Sequence, residues 1–218
     1  MTRSKTRGFT LIEIAVVLAI IAIVATISVG YARSGMKNAN VSSTAYDVAL
    51  RASGLRATAM AENVDYLLVV LDAKNNDASG CRWTAQENCV QAMVLKAPVA
   101  TWSLSSFDPA SLGTNEQLVE TSTFGTSVAF DLASSPALPA PFSAVTLRDP
   151  DLFATCPNNR KCFAIRYRSS GDVVPEYAGS TQPRKLGSAF ILRPDGGGTE
   201  HRTLVVSFPT GIVKSLAF

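Results

Sequence analysis

Along the 218 residues, the spacing of apolar and polar positions changes character twice. From Phe9 to Val29 apolar residues run almost unbroken, and the sole ionisable side chain is Glu13. About 20 such residues carry a helix through the hydrocarbon core of a bilayer. Beyond the run, Val41, Ala45, Val48, Ala52, Leu55 and Ala59 recur at spacings of four and three, with Asp47, Arg51 and Arg56 off the stripe. That is the spacing of an amphipathic helix. Joined, the two segments predict one helix over residues 9–62, about 80 Å long at the usual rise per residue. Residues 9–29 form its membrane-spanning part and 30–62 its amphipathic part. Gly30 and Gly35 are its weak points, each lowering helix stability by about 1 kcal/mol relative to Ala.

From Val64 the period becomes that of strands. Runs rich in β-branched and aromatic residues fall at 64–71, 92–95, 127–132, 143–147, 162–168, 188–192, 203–208 and 212–216. Ser169-Ser170-Gly171-Asp172, Pro194-Asp195-Gly196-Gly197-Gly198 and Pro209-Thr210-Gly211 separate them with hairpin chemistry. Segments 72–80, 107–113 and 134–141 read as surface loops. Short strands with such turns and no second long helix predict an α+β protein, an antiparallel sheet or sandwich packed on the N-terminal helix. Residues 63–218 then form one head, of a common domain size.

Charge orients the span. Arg3, Lys5 and Arg7 precede it, and basic residues that close to a span hold their end in the cytoplasm, which sends the head outward. Glu13 is the anomaly, because a carboxylate in the apolar part of a membrane helix calls for a function and a partner, naturally an amine. Two simpler readings compete. A secretory signal could end at Gly30-Tyr31-Ala32, but its apolar region would be shorter and free of a carboxylate. A plain signal anchor explains the span and leaves Glu13 without a reason.

Gly8-Phe9-Thr10-Leu11-Ile12-Glu13, placed after three basic residues and before the apolar run, resembles the class III signal of type IV prepilins and type II secretion pseudopilins. The resemblance implies that residues 1–8 are a cytoplasmic leader removed by prepilin peptidase, which cuts after Gly8 and methylates the new N-terminal Phe9. Glu13 becomes the fifth-position glutamate, set to meet the Phe9 amine of a neighbouring subunit in the filament. The implied partners are the peptidase, other pilins through the N-terminal helix, and the inner-membrane assembly platform. The implied location is the bacterial inner membrane with a periplasmic head, then the filament. Many pilins carry Pro where this chain has Gly30, so no proline kink is expected. Residues 49–60 with the strand 66–71, and the ending 204–214, are similar to the GspH and FimT group of minor pilins and pseudopilins. That implies a structural subunit of the priming or tip complex, a substrate of the peptidase and not itself an enzyme. A major pilin of the shaft, a tip adhesin and a DNA-capture pilin are the alternatives.

Removing residues 1–8 takes away three basic residues and no acid, leaving 17 of each sign. Chain-wide basicity therefore gives no support for nucleic acid. Cys81, Cys89, Cys156 and Cys162 all lie in the exported part, where disulfides persist. Their spacing favours local loops, Cys81 to Cys89 and Cys156 to Cys162, among three connectivities. The gaps do not suit a zinc site, and no C-x-x-C motif is present. His201 has no nucleophile assigned to it by the sequence and reads as a strand-end residue. Asp149-Pro150-Asp151 and Asp195 lack the calcium-loop pattern and read as turns. Arg166 and Arg168 flanking Tyr167 read as a solvated strand face, with phosphate or base contact the alternative. No cofactor motif occurs.

Overall fold

The computed structural model describes residues 11–72, 90–96, 117–124, 128–131, 134–147, 153–156, 160–176, 186–194 and 199–217. The chain divides into two compact units, Met1–Met36 and Lys37–Phe218.

In the first unit the described residues are all helical and all exposed, Leu11 at 86% and Val29 still at 52%. They open α1, which is continuous over Leu11–Glu62. Among the described residues this is the one helix long and apolar enough to cross a membrane. Two hydroxyls within its apolar run are turned back onto the backbone: Thr26 Oγ1 donates to the Ala22 carbonyl and Ser28 Oγ to that of Val24, each at 2.8 Å. Such bonds satisfy polar groups that hydrocarbon would leave without partners. The helix runs through Gly30 and Gly35, and no heavy atom lies within 4 Å of where a Cβ would sit at either.

In the second unit α1 buries Val41, Thr44, Ala45, Val48, Ala52, Leu55 and Ala59, the predicted stripe with Thr44 added. Its end is specified locally. Asn63 takes a left-handed conformation (φ 52°), and the Val64 amide donates to the Ala59 carbonyl at 3.2 Å. This is the Schellman wrap, with Asn in the position usually held by Gly. Glu62 then accepts from Tyr66 Oη at 2.6 Å and Lys96 Nζ at 2.7 Å. These two contacts lower its carboxyl pKa, the lysine's the more strongly.

The strands are β1 (Tyr66–Asp72), β2 (Val90–Lys96), β3 (Gln117–Phe124), β4 (Val128–Phe130), β5 (Thr146–Leu147), β6 (Phe153–Cys156), β7 (Arg160–Tyr167), β8 (Val173–Pro175), β9 (Gly187–Pro194), β10 (Arg202–Ser207) and β11 (Val213–Ala217). One sheet has the order β3-β2-β1-β7-β6, with β8 also on β7; the other has β11-β10-β9-β4, with β5 also on β9. Every pairing is antiparallel except β5 with β9. The α+β architecture is the one expected. The predicted runs all coincide with strands, while β3, β6 and β8 were not predicted. The 143–147 run is shorter as strand than expected, because Phe142–Ala144 is a 3₁₀ turn.

Both sheets give a face to the helical stripe. Tyr66, Leu68, Val70, Phe163, Ile165 and Tyr167 from one, with Phe190, Leu192, Leu204 and Val206 from the other, join α1 in a single core. Phe190 links the sheets, with its ring 5.1 Å from that of Phe163 and edge-on to Phe130 at 5.5 Å. The opposite face of the first sheet is also closed to water, since Leu67, Val69, Met93 and Leu95 are fully buried. Burial on both faces accounts for the continuous apolar run of β1 where a one-sided strand would alternate.

Candidate functional site

The predicted assembly site is the start of α1. Gly8 and Phe9 lie outside the described residues. Glu13 lies in the first turn, where the helix dipole favours a carboxylate. It is the sole acid of the stretch 11–36. Around it Leu11, Ile12, Ile14, Val16 and Val17 are more than half exposed. An apolar helical surface of this extent with one carboxylate near its end is built to be covered, by lipid or by other helices.

Residues 3–29 match the family model of the prokaryotic N-terminal methylation motif. The match takes in Arg3, Lys5 and Arg7, the Gly8–Phe9 junction, Glu13 and the apolar run. It supports a type IV pilin or pseudopilin subunit, and it implies processing by prepilin peptidase and assembly with pilins. Comparison with curated proteins and with solved structures gives no match.

In the head, the reading of Arg166 and Arg168 as a solvated strand face holds for Arg168, which is exposed, and is overturned for Arg166. The Arg166 side chain is 5% exposed. Its Nε donates to Glu176 Oε1, and its Nη1 lies 3.4 Å from Asp65 Oδ2. Asp65 in turn accepts from the Ser169 amide at 2.9 Å. This cluster ties the link after α1 to the ends of β7 and β8. Burial pushes the Glu176 carboxyl above its usual range, against the pull of Arg166. Tyr167 is fully buried in the core, and burial alone pushes its hydroxyl pKa up. Neither residue can present itself to phosphate or stack on a base; Arg168 alone of the three is exposed.

His201 has a partner that the sequence did not indicate. Its Nδ1 lies 2.9 Å from Asp131 Oδ2, and Asp131 Oδ1 accepts from the Ser134 amide at 3.1 Å. The register keeps the two close, because Phe130 and Arg202 both oppose Leu192, from the two sides of β9, and residues 131 and 201 each lie one position from that level. Among the described residues no group of three or more His, Cys, Asp or Glu could hold a metal ion. Asp149 and Asp151 lie outside the described residues, as do Asp195, Cys81 and Cys89. Cys162 is buried on β7 opposite Ala154, while Cys156 opposes Arg160, which sets these two cysteines two register positions apart on neighbouring strands. No described cysteine is free.

Arg56 is a further residue whose role the sequence concealed. Its Nε donates to the Gly171 carbonyl at 2.9 Å and its Nη1 to the Thr210 carbonyl at 3.0 Å. Two turns distant in sequence are thereby fastened to one turn of α1. Only the turn signatures at 169–172 and 209–211, together with an arginine off the apolar stripe, hinted at this.

Proposed function

We propose that the chain is a minor pilin or pseudopilin, a structural subunit of the priming or tip complex of a type IV pilus or type II secretion pseudopilus, with its head in the periplasm before assembly. The observation that carries the reading is the methylation motif at residues 3–29, continuous with an exposed apolar helix holding Glu13 in its first turn. Cleavage after Gly8 frees the amine of Phe9. In a stack of staggered parallel helices, that amine meets Glu13 of the neighbour, and each charge offsets the cost of placing the other in an apolar surround.

The GspH and FimT resemblance supports the minor role. Its second stretch corresponds to the β10–β11 hairpin, in which Val206 opposes Val213, and its first to the stripe of α1 leading into β1. The burial of Arg166 and Tyr167 counts against the DNA-capture alternative. Counting subunits in sheared filaments tests the assignment. A minor subunit is scarce there, and its deletion lowers the number of filaments; a chain that dominates the preparation is a shaft pilin. N-terminal sequencing should begin at a methylated Phe9, and Gly8→Leu should leave a membrane-bound precursor. The cysteine pairing is part of the same proposal. Mapping of unreduced peptides should join Cys81 to Cys89 and Cys156 to Cys162.

A further inference from the structure

We propose that Met60 is an oxidation site whose sulfoxide loosens the attachment of α1 to the β7–β8 turn. Of the four methionines in the chain, Met1 lies in the leader and Met93 is fully buried. Met36 and Met60 are open to solvent, at 60% and 48% exposure. Met60 differs from Met36 in what its sulfur touches. A Cβ added to Gly171 would lie 2.8 Å from Met60 Sδ and 3.5 Å from its Cγ, so the thioether is seated directly against that residue. Gly171 takes φ +87°, a conformation that favours glycine, and its carbonyl is the acceptor of Arg56 Nε.

The chemistry needs a peroxide. The Met60 sulfur attacks one oxygen of hydrogen peroxide, the O–O bond breaks, and the departing hydroxide takes the proton from the transferred oxygen and leaves as water. Sulfur is oxidised by two electrons and the peroxide is reduced by two. The product is a polar, bulkier and chiral side chain in place of a flexible apolar one. The new oxygen has two consequences here. Added to a sulfur already packed on Gly171, it crowds the turn at 168–172. It is also a strong acceptor one helical turn from Arg56, since residues four apart share a helix face, and it competes with the Gly171 and Thr210 carbonyls for the guanidinium. Each effect releases the β7–β8 turn from α1.

The test uses the full chain in detergent, exposed to dilute hydrogen peroxide, with peptide mass mapping and thermal melts on the same samples. The expected result is that Met60 gains one oxygen while Met93 does not, and that Tm falls by about 3 °C, the scale of a 1 kcal/mol loss in a domain of this size. Methionine sulfoxide reductase should restore Tm. Met60→Leu, close in volume and helix propensity, should melt like the untreated wild type before and after peroxide. An unchanged Tm with Met60 fully oxidised would overturn the proposal, as would an equal fall in Met60→Leu or a Met60 that stays reduced while Met93 reacts.

Discussion

The two stretches of α1 use apolar residues for opposite ends. Leu11 to Met36 is almost uniformly apolar as far as Val29, and every residue in it is exposed. Lys37 to Glu62 is more polar, yet it contributes seven buried residues to the head. Burial in this protein thus follows the placement of apolar side chains more than their number. A stripe at spacings of four and three meets a sheet on one face, whereas a helix apolar all round has no face to prefer and is suited to a medium that surrounds it. The same reasoning assigns different work to the two stretches, stability to the second and assembly to the first.

The sharpest way to break this contrast is to place one substitution in both. Val48 is 3% exposed, so Val48→Asp sets a carboxylate in an apolar core and should cost the head more than about 3 kcal/mol, read as loss of cooperative melting. Val17→Asp should leave the melt of the head unchanged and impair membrane insertion instead. Equal effects on the melt would erase the distinction.

Glu13→Ala comes next. The variant should insert and be processed, and its head should melt as wild type, but its recovery in sheared filaments should fall at least about tenfold, the scale of a lost ion pair worth over 1.4 kcal/mol. Recovery at the wild-type level would show that this carboxylate does not guide assembly.

A smaller effect sharpens the second stretch. Arg56→Ala removes two hydrogen bonds from a charged donor and should destabilise the head by about 1–2 kcal/mol, with faster amide exchange at residues 168–172 and 208–211. The smallest effect is one of pH. Burial makes Glu176 hold its proton more tightly in the folded head than in the unfolded chain. The stability linked to it is therefore present below the ordinary glutamate range and is lost as pH rises through the raised value. Glu176→Gln should flatten that part of the Tm–pH curve, and an unaltered slope would show that Arg166 holds the carboxyl in its usual range.

What the sequence revealed and what it withheld follow from distance along the chain. The stripe from Val41 to Ala59 was legible because helical periodicity is local, and the runs at 188–192 and 203–208 because β-branched residues cluster between glycine-rich turns. Strand β3, Gln-Leu-Val-Glu-Thr-Ser-Thr-Phe, was hidden because residues 117–120 are all exposed and carry no alternation. Strand β8 is three residues long and ends in Pro175, which argues against a strand in any local reading. The misreading of Arg166 had a different cause. A charged residue on a strand reads as solvent-facing unless its partners are known, and Asp65 lies 101 positions away. Likewise, nothing near His201 points to Asp131. For the start of α1 the opposite holds, because the signal for cleavage and anchoring lies within one short contiguous stretch.

The buried stripe of α1 has a mechanical consequence. From Val41 to Ala59 it follows about 27 Å of helix, laid along a core drawn from both sheets. A tension applied along the helix axis loads all of these contacts together, in shear, so that none can be peeled away ahead of the others. The carbonyl bonds of Arg56 lie near the far end of that seam, where they brace the β7–β8 and β10–β11 turns against the same pull.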